Sequence, residues 1–73
     1  MPKLRILSAG EVCDILQKHG FIQSRQSGSH IVMRKRTVEG ARSVIVPNHS
    51  EIRRGTLKSI VEQSGLSRSL FMS

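Results

Sequence analysis

Apolar residues follow two different spacings along the chain, and each spacing predicts one kind of secondary structure. Near both ends they recur at helical intervals, in residues 12–16 and again in residues 57–61. Between these segments lie three short runs whose apolar and β-branched residues are typical of strands. The runs predict strands at residues 21–26, 30–35 and 42–46. The pattern therefore predicts the element order α-β-β-β-α.

Polar residues and glycines mark where each predicted helix begins and ends. Ser8 and Glu11 fit a capping box, in which each side chain bonds the backbone N–H of the other residue. Lys18-His19-Gly20 is expected to end the first helix, because cations favour the negative end of the helix dipole and glycine readily adopts the left-handed conformation. The second helix is predicted to start near Gly55-Thr56 and to end at Gly65.

The remaining segments complete an α+β fold. Residues 66–71 can form one further turn that brings Leu70 and Phe71 onto the core, and residues 1–7 can form a short edge strand through Leu4, Ile6 and Leu7. A three-stranded antiparallel sheet can bury one face under two helices and leave the other face in water. We expect one domain that spans residues 1–73.

One segment, Gln26-Ser27-Gly28-Ser29-His30, is predicted to form a tight hairpin turn between the first two strands. The turn places His30 at the start of the second strand, and an imidazole can change its charge near neutral pH. If Ile31 and Met33 face the helices, then His30, Val32 and Arg34 share the opposite face. A register error of one residue would reverse this assignment, so the pattern leaves the face of His30 open.

The net charge of the chain is its strongest compositional indication of a binding partner. Twelve Lys and Arg against five Asp and Glu give a formal net charge of +7, and a small domain this basic usually binds a polyanion. With two Phe and no Trp or Tyr to stack on unpaired bases, contacts to a nucleic acid should be mostly with its phosphates. No apolar run approaches the roughly 18 residues that span a membrane, and no signal peptide is visible. A lone Cys suits a reducing cytoplasm.

The basic residues fall into two predicted strips, with two further residues beside the first turn. One strip lies on the second hairpin and comprises Arg34, Lys35, Arg36 and Arg42; the other, at the start of the second helix, comprises Arg53, Arg54 and Lys58. Arg25 and Ser29 flank the first turn. These residues are the candidate nucleic-acid contacts, and the first N–H groups of the second helix could also hold a phosphate. The alternative is an ordinary solvated charged face.

With these residues placed, the chain resembles the HicA (YcfA-like) toxin family of bacterial and archaeal toxin–antitoxin systems. The segments that carry the resemblance are Gly20-Phe21, Gln26-Ser27-Gly28-Ser29-His30, Val46-Pro47-Asn48-His49, Gly55-Thr56-Leu57-Lys58-Ser59-Ile60 and Gly65-Leu66-Ser67. The resemblance implies a double-stranded-RNA-binding-like fold and ribonuclease activity on mRNA, with His30 as the catalytic residue. It also implies a cognate antitoxin of the HicB family that binds the toxin and masks this site.

Cleavage of RNA next to a 2′-hydroxyl needs one group that removes a proton and another that donates one, and a histidine suits either transfer. Arg and Lys can stabilise the transition state without a metal. His49 is the best candidate for the second proton carrier; alternatively, it orders the Pro47 turn or caps the second helix. His19 is expected to be a helix C-terminal cation. Cys13 and the three histidines match no compact zinc spacing, so neither a metal nor another cofactor is expected.

The sequence therefore predicts a cytoplasmic toxin that cleaves mRNA through His30, with mRNA and a HicB-type antitoxin as partners. The main alternative is a non-catalytic RNA-binding module of the same fold. A third interpretation is a domain whose basic face binds an acidic protein.

Overall fold

A computed structural model describes residues 6–71, and its elements follow the predicted order α-β-β-β-α. The elements are α1 (Ala9–Lys18), β1 (Ile22–Ser27), β2 (His30–Thr37), β3 (Gly40–Pro47), α2 (Arg54–Ser64) and a 3-10 helix (Arg68–Phe71). The α+β prediction is thus confirmed. The second hairpin is tighter than predicted, because Thr37 pairs with Gly40 and only residues 38–39 form its turn. β2 and β3 are each longer as a result.

Local side-chain bonds fix the start of α1 as predicted. The Ser8 hydroxyl accepts the Glu11 N–H at 3.2 Å, and the Ser8 N–H donates to Glu11 Oε1 at 3.1 Å. At the other end, the His19 N–H bonds the Leu16 carbonyl and Gly20 has a φ of 96°. The capping box and the glycine stop are therefore both present.

The three strands form an antiparallel sheet in the order β1-β2-β3. At one end of this sheet, the first residue of β2, His30, pairs with Ser27 on β1 and with Pro47 on β3. The register between β1 and β2 shifts between Gln23 and Arg25, which leaves Ser24 as a bulge. β2 is therefore the central strand, and His30 lies at one of its ends.

The core lies between one face of the sheet and the two helices. Ile31 and Met33 on β2 are buried, as are Val44 and Val46 on β3. They pack with buried side chains from the helices and connecting segments, among them Val12, Leu16, Phe21, Leu57, Ile60 and Phe71. Because neighbouring strand residues point to opposite faces, His30, Val32 and Arg34 lie on the face without helices. His30 therefore lies on the face of the sheet opposite the helices, which the sequence pattern alone did not determine.

Both ends of the described segment pack against this core. Leu7 and Ile52 form an isolated antiparallel bridge, with the Ile52 N–H 2.8 Å from the Leu7 carbonyl. Leu4, part of the predicted edge strand, lies outside the described residues, and Ile6 is exposed. Phe71 is fully buried in the final turn, as predicted. Within residues 6–71, neither α-helix has the length and apolar character needed to cross a membrane.

Candidate functional site

A two-residue turn determines where His30 lies. Gly28 and Ser29 connect the paired residues Ser27 and His30, and Gly28 has a φ of 57°. Glycine at the first turn position is the pattern of a type II′ hairpin. A Cβ on Gly28 would meet no atom within 4 Å, so the backbone conformation alone favours glycine here. The predicted turn is confirmed, and it holds His30 as an exposed residue on a strand rather than on a mobile loop.

Three backbone hydrogen bonds connect the turn, the segment after β3 and the segments just before the two helices. The Asn48 N–H donates to the Ser29 carbonyl at 2.6 Å, and the His49 carbonyl accepts the Ala9 N–H of α1 at 2.9 Å. The third is the Leu7–Ile52 bond, which joins the residues just before α1 and α2. Both helices therefore begin at the sheet end that carries His30. Because helix N-termini carry partial positive charge, both dipoles favour an anion at this end.

A groove of about 660 Å³ opens at the same end, between the β3–α2 loop and the start of α2. His49, Arg53 and Arg54 line it, together with Pro47 and Thr56. All three of these ionisable side chains are exposed, and Lys58 is exposed one turn further along α2. Arg53 and Arg54 of the predicted strip thus line this groove together with His49 and Glu51, whereas Lys58 is not among its lining residues.

The open face of the sheet is organised in cross-strand rows, since paired residues on neighbouring strands share a face. The first row is Ser27, His30 and Pro47; the second is Arg25, Val32 and Ile45; the third is Ile22, Arg34 and Ser43; the last is Arg36 and Ala41. One histidine and three arginines therefore share one surface. The helices cover the other side, so this surface is open to a ligand.

Strand alternation divides the other predicted strip between the two sides of the sheet. Arg34 and Arg36 lie on the open face, whereas Lys35 and its partner Arg42 lie on the helix side. The Lys35 ammonium is 5.7 Å from the ring centroid of Phe21. Arg42 Nη1 donates to the Gln63 carbonyl at 3.0 Å, at the C-terminal end of α2. These two cations are thus separated from the surface that carries His30.

His19 and Cys13, the two remaining residues considered for metal binding, both lie on or next to α1 and away from the open face. His19 Nδ1 lies 2.9 Å from the Ile15 carbonyl, which fixes the ring against α1. Burial raises the pKa of the Cys13 thiol, and the nearby charge of Asp14 adds to the effect. Among residues 6–71, no three His, Cys, Asp or Glu side chains are grouped so that they could hold a metal ion.

The sequence reasoning missed two features of the open face. Ile22 is 70% exposed and Ile45 is 50% exposed, and with half-buried Val32 they make part of this face apolar. Once the exposed face of β2 is known, the pairing of Ile22 with Arg34 and of Ile45 with Val32 places both isoleucines on that face. The bulge at Ser24 had no such signal, because residues 23–27 are a polar run without periodicity.

Comparison with known proteins identifies a family that the chain matches. A family model described as the HicA toxin of bacterial toxin–antitoxin systems matches residues 9–66, which include both helices and the whole sheet. No curated protein matches the chain.

Proposed function

The chain belongs to the HicA toxin family of bacterial toxin–antitoxin systems, and from this premise we propose that it is an endoribonuclease that cleaves mRNA in the cytoplasm with His30 as a catalytic residue. The observation that carries the proposal is the position of His30. It is exposed at the start of the central strand, on the same face as three arginines and at the end of the sheet where both helices begin.

In the proposed reaction, a base removes the proton from a ribose 2′-hydroxyl and the 2′-oxygen attacks the adjacent phosphorus. The bond from phosphorus to the 5′-oxygen breaks, and an acid protonates that oxygen. The products are a 2′,3′-cyclic phosphate and a 5′-hydroxyl end. His30 carries one of the two proton transfers, and an arginine of the open face stabilises the negative charge that builds up on the phosphate oxygens.

His49 is the candidate for the other proton transfer. It follows Pro47, the β3 partner of His30, by two residues, and its loop is bonded to the turn through Asn48 and Ser29. Its side chain is exposed in the groove at the start of α2. An RNA strand that crosses from this groove to the open face would pass both imidazoles.

The decisive experiment compares His30→Ala with the parent protein and with His49→Ala. Loss of a positioned acid or base typically slows such reactions by about 10²–10⁴-fold, and we expect His30→Ala to fall in this range. Its melting temperature should be unchanged because the side chain is exposed. It should still bind a 2′-O-methyl RNA that cannot be cleaved. Cleavage by His30→Ala at the parent rate would leave a non-catalytic RNA-binding module.

We also propose that a cognate antitoxin inhibits the enzyme by covering the open face. Ile22 and Ile45 offer apolar contacts that RNA phosphates cannot use, while the arginines beside them suit an acidic partner. Ile22→Glu should therefore weaken inhibition by the antitoxin more than it weakens cleavage. A toxin–antitoxin complex that leaves His30 accessible and still cleaves RNA would contradict direct masking.

A further inference from the structure

The bulge in β1 determines which face of the sheet carries Arg25. Ile22 pairs with Arg34 and therefore lies on the open face. In a regular strand, a residue three positions later would point to the opposite face, toward the helices. The bulge at Ser24 adds one unpaired residue and reverses this parity, so that Arg25 pairs with Val32 on the open face.

This placement makes Arg25 the strand cation nearest to His30. Val32 and His30 are two residues apart on the same face of β2, so Arg25 is the diagonal neighbour of His30. Such diagonal pairs are about 7–8 Å apart, within reach of a long side chain. Arg34 is four residues from His30 along β2, which is about 13 Å. Arg36 is farther still, and Lys35 and Arg42 lie on the other side.

We propose that Arg25 binds the scissile phosphate beside His30, and that the bulge at Ser24 is the feature that brings the two residues together. The inference rests on the proposed nuclease function and names a further catalytic residue for it. A guanidinium can donate two parallel hydrogen bonds to the non-bridging oxygens of a phosphate. Because its charge is fixed, Arg25 stabilises the transition state and takes no part in the proton transfers.

A simpler role for these residues is protection of an exposed sheet edge. β1 is an edge strand with all six residues exposed, and both bulges and charged residues discourage pairing with other chains. Edge protection needs a charge on β1 but does not need it on a particular face. Moving the arginine to the other face of β1 therefore distinguishes phosphate binding from edge protection.

The test moves the arginine by one residue without changing composition or net charge. In the double variant Arg25→Gln/Gln26→Arg, the guanidinium lies on the helix side, because Gln26 pairs with Ile31. Both positions are exposed, so the variant should keep its melting temperature. We expect single-turnover cleavage of a long mRNA transcript, at saturating protein, to fall by about 100-fold, as for the loss of one oxyanion donor.

Three further variants complete the design. Arg25→Gln should match the swap, whereas Arg25→Lys should recover part of the rate. Arg34→Gln, the matched arginine on the same face, should weaken binding of 2′-O-methyl RNA and should lower the saturated cleavage rate much less than Arg25→Gln does. If the swap proves unstable, Arg25→Gln decides the question.

His30→Ala, run in parallel, distinguishes the two proposals. If His30→Ala is inactive but the swap cleaves like the parent, the role of Arg25 is wrong and the nuclease stands. If His30→Ala cleaves like the parent, the proposed function fails, and the role of Arg25 fails with it.

Discussion

The two faces of the sheet use the same strand for opposite purposes. On the helix side, β2 contributes Ile31 and Met33, which are buried in the core. On the open side, the residues that alternate with them are His30, Val32, Arg34 and Arg36. Stability is therefore concentrated on one side of β2 and the candidate chemistry on the other, with only the alternation of the backbone separating them.

The cations show what this difference means for function. Arg42 and Lys35 are on the helix side, where one bonds the end of α2 and the other lies over Phe21. Arg34, one residue from Lys35, is exposed beside the row that contains Val32. Residues of the same charge thus either contact the helices or lie on the exposed candidate surface, according to their position in the strand.

The largest difference between the two faces is expected when two neighbouring residues of β2 are truncated. Met33→Ala should lower the free energy of unfolding by about 2–5 kcal/mol, because it leaves a cavity among fully buried side chains. Val32→Ala, its control on the open face, should cost much less. Chemical denaturation of both variants measures the difference. Equal losses would mean that the open face carries as much of the packing as the core.

A second prediction concerns the turn that joins β1 and β2. Gly28→Val forces a β-branched residue into a backbone conformation with positive φ, which costs about 1–3 kcal/mol and should misplace His30, so both stability and cleavage should fall. Gly55→Ala is the matched control, because that glycine lies in α2 with no atom within 4 Å of an added Cβ. Wild-type cleavage by Gly28→Val would show that the turn does not position the site.

The arginines permit a smaller but cleaner comparison. Arg42→Ala removes a hydrogen bond to the Gln63 carbonyl and should lower the free energy of unfolding by about 0.5–1.5 kcal/mol, with little effect on RNA binding. Arg34→Ala should leave the free energy of unfolding nearly unchanged but weaken RNA binding. It should also reduce the slope of log affinity against log salt concentration by about one, the value expected for one lost phosphate contact. Melting curves and salt titrations test both. An equally flattened salt dependence for Arg42→Ala would contradict the division of the basic strip.

The smallest effect is expected at Cys13, on α1 at the margin of the core. Burial, and secondarily Asp14, raises the pKa of this thiol, so folding favours its protonated form. Its contribution to stability is therefore present below the pKa of the unfolded chain and is lost as the pH rises through the folded value. Alkylation of the folded protein should reach its half-maximal rate at a higher pH than alkylation in denaturant. Coincident pH profiles would argue against this shift.

Much of the fold could be predicted from local signals. The capping box at Ser8 and the glycine at position 28 each act through the backbone of a few neighbouring residues, so the sequence carries the whole signal. Strand ends were less accurate, because pairing with β2 extends β3 to Gly40 through residues that read as a polar connection. The position of His30 at the start of β2 was predicted from the turn signal, whereas the residues that share its face depended on the strand register.

Periodicity, turn chemistry and composition are local properties of the chain, so they are enough to specify the order of the elements, the tight turn before His30 and the excess of positive charge. Which cations share a face with His30 is set when the strands pair in the folded protein. That outcome depends on β-sheet parity, and a single unpaired residue, Ser24, reverses the parity of β1 without any local signal. Long-range pairing therefore placed Arg25 beside His30 and Arg42 against α2.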